Sequence, residues 1–447
     1  MNTQNKYTTI KEAVDFVYES YMKAQPYLLY QETDSHKRNP DYTKDILQQL
    51  DRGQNILITG SKGKGSVARM LSKILQSTGK DVGMFTSPHV ISFCDRIQRN
   101  DQNISEEDFI DCCNEVRENI ENISVCQGGY VSPIGIQCAV ALKFFEKHPV
   151  DVKVMECGKG VRYDDTRNLS HSYGVINPVF LEHTRELGTT LEKIATDKAD
   201  IIMPGMQAVY VAEQTKEVLE VLQKRAKECD VKLRCYGKDF WCEDVRYTPE
   251  GMRFSVVTPR HTYPDISIPL LGSFQAKNCA IALALAEEFA GGLSEEKVKE
   301  QLSLLRYPGR MEIISKGPLT ILDACIHPQA ALQVKEVLEH ITRQDTAHRP
   351  KIAAVIAIPM DKDYVGTVKE LKNMVDVILL SKSKNPHYRF SEEQAVKLQQ
   401  LGIDCKFVAD LAEAVEQAKA SGAEIVCLLG TTSMITEILT DKTLQER

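Results

Sequence analysis

The stretch NILITGSKGKGSVARMLSKILQSTG, residues 55–79, decides the fold class. It opens on a short apolar run, turns at a glycine cluster, and continues with apolar residues at helical spacing until Gly79 closes the helix. DVGMFTS (81–87) follows as a second apolar run. Strand, glycine-rich turn, helix and strand are the opening of a parallel α/β domain. Inside the turn, Gly60, Gly63 and Gly65 let the backbone curl so that N–H groups face a phosphate, and the helix N-terminus adds its positive dipole end. Lys64 is placed to reach the β- and γ-phosphates, with Ser66 near the phosphates and a metal. The spacing departs from G-x-x-x-x-G-K-[ST], because Ile58 stands at the first glycine position and Gly65 separates Lys64 from Ser66. A glycine- and lysine-rich turn alone can be a solvated loop; the strand before it and the helix after it favour nucleotide binding.

Toward the N-terminus, residues 8–24 carry apolar residues at helical spacing, with Thr8 or Thr9 as N-cap. LLYQETDSHKRNPDY (28–42) is polar and broken by proline, and reads as a loop. Downstream, VDVKVME (150–156) and YGVINPVFL (173–181) read as buried strands and LEKIATDKADIIM (191–203) as a helix. Residues 234–268 alternate around a Pro-Glu-Gly turn, which fits a β-hairpin elaboration. Helical spacing returns in 273–290 and 293–305, and RYPGR (306–310) is a hinge candidate. A second α/β series then runs through TILDA, KIAAVIAI, DVILLS and EIVCLLG with helices between. The expected organisation is a large N-terminal α/β domain, residues 1–305, and a smaller one, residues 306–447.

The 447 residues are 43% hydrophobic and 26% charged, with 62 acidic against 55 basic side chains and a formal charge of -7. That balance supplies no overall field for nucleic acid or an acidic membrane, so an anionic substrate needs local cations or bound metal. The first residues lack the apolar core of a secretory signal, and no apolar run approaches the ~20 residues that span a bilayer. The thirteen cysteines are scattered, without C-x-x-C, and read as small core residues of a reducing compartment. The expectation is a monomeric cytoplasmic protein.

GSKGKGS (60–66) together with GMFTSPHVISFCDRIQRN (83–100) resembles the phosphate loop and TSPH segment of the folylpolyglutamate and dihydrofolate synthases, within the Mur ligase superfamily. The resemblance continues in order. ECGKGVRYDDTRN (156–168) is similar to E-V-G-L-G-G-R-x-D-A-T-N, and LEHTRELGTTLEKIATDKADI (181–201) to L-D-H-x-x-x-L-G-x-T-x-x-x-I-A-x-x-K-A-G-I. SFQAKNCAIALA (273–284), PGRMEII (308–314), ILDACIHP (321–328) and MDKD (360–363) follow. It implies a P-loop Mur-ligase-like central domain with a parallel sheet, plus a smaller C-terminal Rossmann-like α/β domain.

The implied activity is an ATP-dependent acid–amino-acid ligase. A substrate carboxylate takes the γ-phosphoryl group to give an acyl phosphate, and an amine then displaces phosphate. Lys64, Glu156, His183 and Lys198 would carry the chemistry, with closure about the hinge excluding water. Gly60, Gly63, Lys64, Gly65, Ser66, Asn278, Arg310 and Asp323 would bind ATP. Two Mg²⁺ ions would be held by Ser66, Ser87, Glu156, His183 and Lys198, the lysine as a carbamate. By its position Glu156 ends a buried strand at the carboxyl edge, where ligands of open α/β sheets collect. Judged alone, His183 reads as a packed or surface histidine and Lys198 as a solvated helix lysine; their site roles rest on the resemblance. Arg162 and Asp164 fall at pterin-contact positions, and Ile326 and His327 at positions that handle the incoming amino acid.

The departures cluster at the substrate positions. The family's D-G-A-H-N-P is Asp323-Ala324-Cys325-Ile326-His327-Pro328 here. Lys159 replaces an apolar residue, Val161 a glycine, and Asp200 the glycine after K-A. The expected substrates are therefore a small-molecule carboxylate and an amino acid that differ from the folate–glutamate pair, with genuine folate activity as the alternative. A P-loop phosphotransferase and a catalytically silent nucleotide-binding regulator are the readings from other classes.

Overall fold

A computed structural model describes residues 6–28, 38–343 and 349–441. The first helix, α1 (Ile10–Ala24), starts at Thr9, whose side chain accepts from Glu12 N while the Glu12 carboxylate accepts from Thr9 N. Of the loop expected over 28–42, residues 29–37 lie outside the described residues, and α2 (Asp41–Leu50) begins within its last two positions. The glycine turn joins β1 (Gln54–Thr59) to α3 (Lys64–Gln76), and β2 (Val82–Phe85) follows as expected. Next come β3 (Ile97–Arg99), β4 (Gln102–Asn103), α4 (Glu106–Glu121), α5 (Pro133–Lys147) and β5 (Val152–Glu156). The chain continues through β6 (Tyr173–Ile176), α6 (Leu191–Ala199), β7 (Ala208–Val211), α7 (Lys216–Cys229) and β8 (Lys232–Cys235).

Among the described residues these strands form one eight-stranded sheet in the order β4-β3-β2-β5-β1-β6-β7-β8. Pairing is parallel from β2 to β8, with β3 and β4 antiparallel at one edge. The central strands are covered on both faces, so they read as continuous apolar runs rather than alternating ones. On one face Leu57, Phe85, Met155, Ile176 and Val209 share a core with Ile136 of α5 and Val218 of α7. Chain order places β1 centrally, with β5 on one side and β6 on the other. The carboxyl ends of those strands therefore meet around the glycine turn, the place where such sheets gather ligands.

Three further strands, β9 (Trp241–Thr248), β10 (Gly251–Val257) and β11 (Thr262–Ile268), form a small sheet in the order β11-β10-β9, one strand more than a hairpin. Helices α8 (Ser273–Ala290) and α9 (Glu295–Ser303) follow. The last third runs β12 (Glu312–Lys316), β13 (Leu319–Asp323), α10 (Pro328–Arg343), β14 (Ile352–Ala357), α11 (Tyr364–Leu371) and β15 (Val377–Leu380). It ends with α12 (Glu393–Gln400), β16 (Lys406–Phe407), α13 (Leu411–Ala420), β17 (Ile425–Gly430) and α14 (Thr432–Thr440). Its sheet has the order β12-β13-β17-β14-β15-β16, parallel except for β12. The fold is α/β, with a mostly parallel central sheet and a smaller C-terminal α/β domain.

The described residues fall into two compact units, one drawn from 1–242, 256–263 and 277–302, the other from 243–255, 264–276 and 303–447. The excursions at 243–255 and 264–276 have a packing cause. Tyr247, Leu271 and Phe274 join Ile321, Val334 and Ile356 in the core of the second unit. The cysteines are free thiols and mostly buried, as small core residues. No helix among the described residues is long and apolar enough to cross a membrane.

One buried acid stands out in the first unit. Asp165 is 1% exposed; its Oδ1 accepts from Thr43 Oγ1 at 2.6 Å, and its Oδ2 has no hydrogen-bond partner. Burial pushes its pKa up to about 6, opposed by Arg38 and reinforced by Asp164. A folded-state value above the unfolded one means that the folded chain holds this proton more tightly. The contribution is thus most favourable below about pH 4 and is lost as pH rises through 6. Asp165→Asn, which keeps an acceptor for Thr43, should stabilise the protein at pH 7.5 by on the order of 1–3 kcal/mol, with the gain vanishing toward pH 4. Urea unfolding of both proteins at the two pH values checks this; a pH-independent difference would show that Asp165 does not titrate in that window.

Candidate functional site

The turn after β1 is built so that only glycine fits at two places. Gly60 has φ 132° and Gly63 φ 83°, a region that L side chains rarely adopt. A Cβ on Gly60 would lie 2.5 Å from Asn177 Cβ, and one on Gly63 would lie 2.5 Å from Asn177 Nδ2 and 2.8 Å from Asn278 Oδ1. The two asparagines brace the turn from outside. Asn177 extends β6 by donating its N–H to Thr59 O at 2.8 Å, and its Nδ2 lies 3.4 Å from Asn278 Oδ1 on α8. The resemblance pointed to Asn278. Asn177 was not foreseen, and its one sequence signal is a polar residue directly after an apolar strand.

Two ammonium groups meet at this turn. Lys64 Nζ and Lys198 Nζ each donate to Gly60 O at 3.0 Å. Lys198 is fully buried and forms a 3.0 Å ion pair with Glu182 Oε1. Burial first, and the charge of Lys64 second, pull its pKa below the usual lysine range, while Glu182 opposes them. A solvated surface lysine, the bland reading of Lys198, is thereby excluded. Glu182 is the partner that sequence reasoning missed, although it adjoins His183.

Glu156 ends β5, opposite Ile58 of β1, and is 4% exposed. Its Oε2 accepts the backbone N–H of Ser87 at 3.1 Å, which ties the TSPH segment to the strand end. Ser66 lies in the first turn of α3 and is buried. His183 has φ 45°, and its Nε2 lies 4.0 Å from Glu182 Oε2. Its ring is half-exposed, yet burial first, and the charge of Lys159, lower its pKa against the opposing pull of Glu182, which favours the neutral imidazole. Lys64, Ser87 and His183 line one cavity of about 790 Å³, together with Arg96, Lys159 and Glu186.

The chemistry of these donors bears on the implied groups. The glycine cradle and the two lysines fit a polyphosphate. Among the described residues no three His, Cys, Asp or Glu side chains gather to hold a metal. A cation here would therefore rely on Glu156, serine hydroxyls and phosphate or water oxygens, the ligand set of nucleotide-bound Mg²⁺. Lys198 is an ammonium paired with Glu182 and has no lone pair to give as it stands.

The substrate positions divide. Arg162 is held by Asp200, with Nε to Oδ2 at 2.6 Å and Nη2 to Oδ1 at 3.3 Å, so the acid that replaces glycine clamps it. It lines an adjoining cavity of about 570 Å³ with Tyr42, Tyr163 and Arg38, the last shared with the cavity of Lys64. Asp164 is fully buried and serves the backbone: Oδ1 accepts from Thr166 N and Oγ1, and Oδ2 from Gly158 N and Arg38 Nη2. Val161 is buried, and its N–H goes to Asp197 Oδ1 at 2.7 Å. In the second unit, Asp323 ends β13 and its Oδ2 accepts from Met311 N at 2.9 Å, while Ala324 N donates to Gly309 O at 2.9 Å. These bonds fix the turn that carries Arg310, whose guanidinium lies 5.4 Å from the Tyr307 ring. Ile326 packs against that unit's core, and His327 Nδ1 accepts from Gln329 N at 3.2 Å at the start of α10.

Residues 58–286 match the Mur ligase middle domain, half of the chain. The chain is 29% identical over 326 residues to the dihydrofolate synthase/folylpolyglutamate synthase of Bacillus subtilis, covering 72% of this chain and 74% of that protein. It is 27% identical over 353 residues to the folylpolyglutamate synthase of Lacticaseibacillus casei, covering 78% and 81%. The crystal structure of folylpolyglutamate synthase from Thermotoga maritima superposes with a TM-score of 0.79 at 25% identity, over 95% of this chain and 99% of that one. The Mycobacterium tuberculosis folylpolyglutamate synthase complexed with ADP and AMPPCP shares the fold, with a TM-score of 0.82 at 23% identity over 95% and 98%. By these matches the chain belongs to the folylpolyglutamate/dihydrofolate synthase family of the Mur ligase superfamily, ATP-dependent ligases that form amide bonds.

Proposed function

We propose that this ligase joins an amino acid to a small-molecule carboxylate through an acyl phosphate, as a monomeric cytoplasmic enzyme. The observation that carries the reading is the convergence of Lys64 and Lys198 on the Gly60 carbonyl, at a turn whose Lys64 also lines the 790 Å³ cavity. Mg²⁺ held by Glu156, Ser66 and Ser87 would neutralise charge on the β- and γ-phosphates. Lys64 leaves the Gly60 carbonyl for the transferring phosphoryl group, and the helix N-terminus receives the remaining phosphate oxygens. The substrate carboxylate oxygen attacks the γ-phosphorus and ADP departs. The amine then attacks the acyl carbon, phosphate leaves, and the amine gives up a proton. Arg310 and Asp323 are assigned to ATP from the family pattern.

A second Mg²⁺ beside His183 needs Lys198 as a carbamate. Its depressed pKa favours the neutral amine that carbon dioxide requires. Intact-mass measurement under native conditions with bicarbonate should show the gain of one carbon dioxide, lost in Lys198→Met; an unmodified mass at high bicarbonate speaks against the carbamate.

The departures at Ile326, His327 and Lys159 support an acid–amine pair other than folate and glutamate. The names of the relatives support the second reading, glutamate addition to folate or dihydropteroate. Phosphate release with tetrahydrofolate or dihydropteroate plus glutamate, set against a panel of other acids and amines, decides between them. ADP should appear only when both acid and amine are present. Glu156→Gln should lower that turnover by on the order of a hundredfold or more, while Gly63→Ala should weaken binding of a nonhydrolysable ATP analogue at least ~tenfold. Full activity in Arg310→Ala would favour a phosphotransferase confined to the first unit. Binding of the analogue without any turnover would favour a silent regulator.

A further inference from the structure

The second unit carries a cavity of its own, and none of its lining residues is among those assigned above to nucleotide, metal or substrate. It has a volume of about 390 Å³ and lies where β12 and β13 meet helices α13 and α14. Its floor is apolar and buried, with Val415, Leu428 and Ile438 at most 4% exposed. Four successive residues of β12, Glu312 to Ser315, line it. In a regular strand neighbouring side chains point to opposite faces, so four in a row need a break in the pleat. The break is there: the register with β13 shifts between Ile313 and Ser315, and Ile314 is the unmatched residue.

Two cations stand at the rim, Arg306 just before the turn that carries Arg310 and Lys419 in the last turn of α13. Among the described residues neither takes part in an ion pair or a side-chain hydrogen bond. Each alone reads as solvated surface charge; the shared cavity brings them together over one apolar floor. The single acid of the lining is Glu312, whose Oε2 already accepts from Gly309 N at 2.9 Å. The combination suits a small organic acid, with an apolar body for the floor and one carboxylate for the two cations. An inorganic anion would leave the floor to water, and a neutral apolar molecule would leave the cations unused.

Glu312 also connects the cavity to the turn of Arg310. It binds the N–H of Gly309, while Gly309 O accepts from Ala324 N at 2.9 Å and from Arg310 Nη1 at 3.4 Å. A carboxylate drawn in by Arg306 and Lys419 adds a second negative charge to the cavity of Glu312, and repulsion weakens the hold of Glu312 on Gly309.

We propose that this cavity binds a small apolar carboxylic acid as an effector, whose presence loosens the Gly309–Arg310 turn and weakens nucleotide binding. Binding of the acid is independent of the ligase reading; its effect on the nucleotide rests on the assignment of Arg310 to ATP made above.

Calorimetry on the full chain with phenylacetate, phenylbutyrate and octanoate, each against its neutral amide, reads the site. The acids should bind at least ~tenfold more tightly than their amides. The double variant Arg306→Gln, Lys419→Gln should lose that preference, and thermal unfolding confirms that it folds. Saturation with the tightest acid should weaken binding of a nonhydrolysable ATP analogue roughly fivefold or more, and the analogue should weaken the acid by the same factor, as linkage requires. Glu312→Gln keeps an acceptor for Gly309 N without the charge, and should tighten the acid while abolishing the coupling. Acids that bind no better than amides overturn the proposal, as does a preference that survives in the double variant, which places the acid elsewhere. An acid preference with unchanged affinity for the analogue overturns the effector role. Phosphate release with the acid and amine panel runs in parallel; its failure removes the ligase reading and leaves these binding measurements standing.

Discussion

The carbonyl oxygen of Gly60 accepts from two ammonium groups at once, and the arrangement of the first unit follows from that contact. Two positive charges within hydrogen-bond reach of one oxygen repel each other. The fold tolerates them because each has a separate counterweight. For Lys198 it is the Glu182 carboxylate at 3.0 Å. For Lys64, at the mouth of the turn, it is the anion that the turn is shaped to receive. The constraint reaches outward to Asn177 and Asn278, which press on Gly60 and Gly63 closely enough to forbid a side chain. A sheet that sets β5, β1 and β6 side by side is what brings Glu156, the lysine-bearing turn and Asn177 to one edge.

That edge was legible in the sequence where the backbone alone dictates the outcome. An apolar run, a glycine cluster and a periodic helix can be read locally, and the Thr9 cap and α3 came out where periodicity put them. Partners that are brought in by tertiary packing were not legible. Glu182 looks like any acid in a charged loop, and its pairing with Lys198 depends on α6 folding back toward the first turn. Asn177 and Arg96 likewise acquire meaning from neighbours far along the chain, Asn278 in one case and Gln137 in the other. The extra strand β11 and the packing of Tyr247 in the second unit were hidden for the same reason, because alternation reports a half-buried strand and not which core it faces.

The departures from the family pattern form physical pairs. Asp200, in place of a glycine, binds both nitrogen arms of Arg162 and so ties the loop after β5 to the end of α6. Asp165 stands where the family pattern has alanine and is accommodated because Thr43 donates to it and Gly135 has no Cβ; a Cβ there would lie 2.4 Å from Asp165 Oδ1. Asp164 and Arg38 complete this layer, which fastens the start of α2 to the segment after β5. Asp200 and Asp165 are each absorbed by a neighbouring side chain, Arg162 and Thr43, without a change at the phosphate turn itself.

The consequence is a division of labour by burial. The groups proposed for the nucleotide have main-chain contacts: Glu156 with Ser87 N, Lys64 and Lys198 with Gly60 O. Such anchors survive side-chain drift because their partners are common to every residue type. Two other cations of the cavity beside Lys64 are held by side chains, Arg96 by His89 and Gln137, Lys159 by Glu186. These can be exchanged pair by pair without disturbing the strand ends. On the proposed reading, a ligase organised in this way keeps one reaction while its acid substrate changes, because the strand-end contacts do not depend on the side-chain pairs around the cavity.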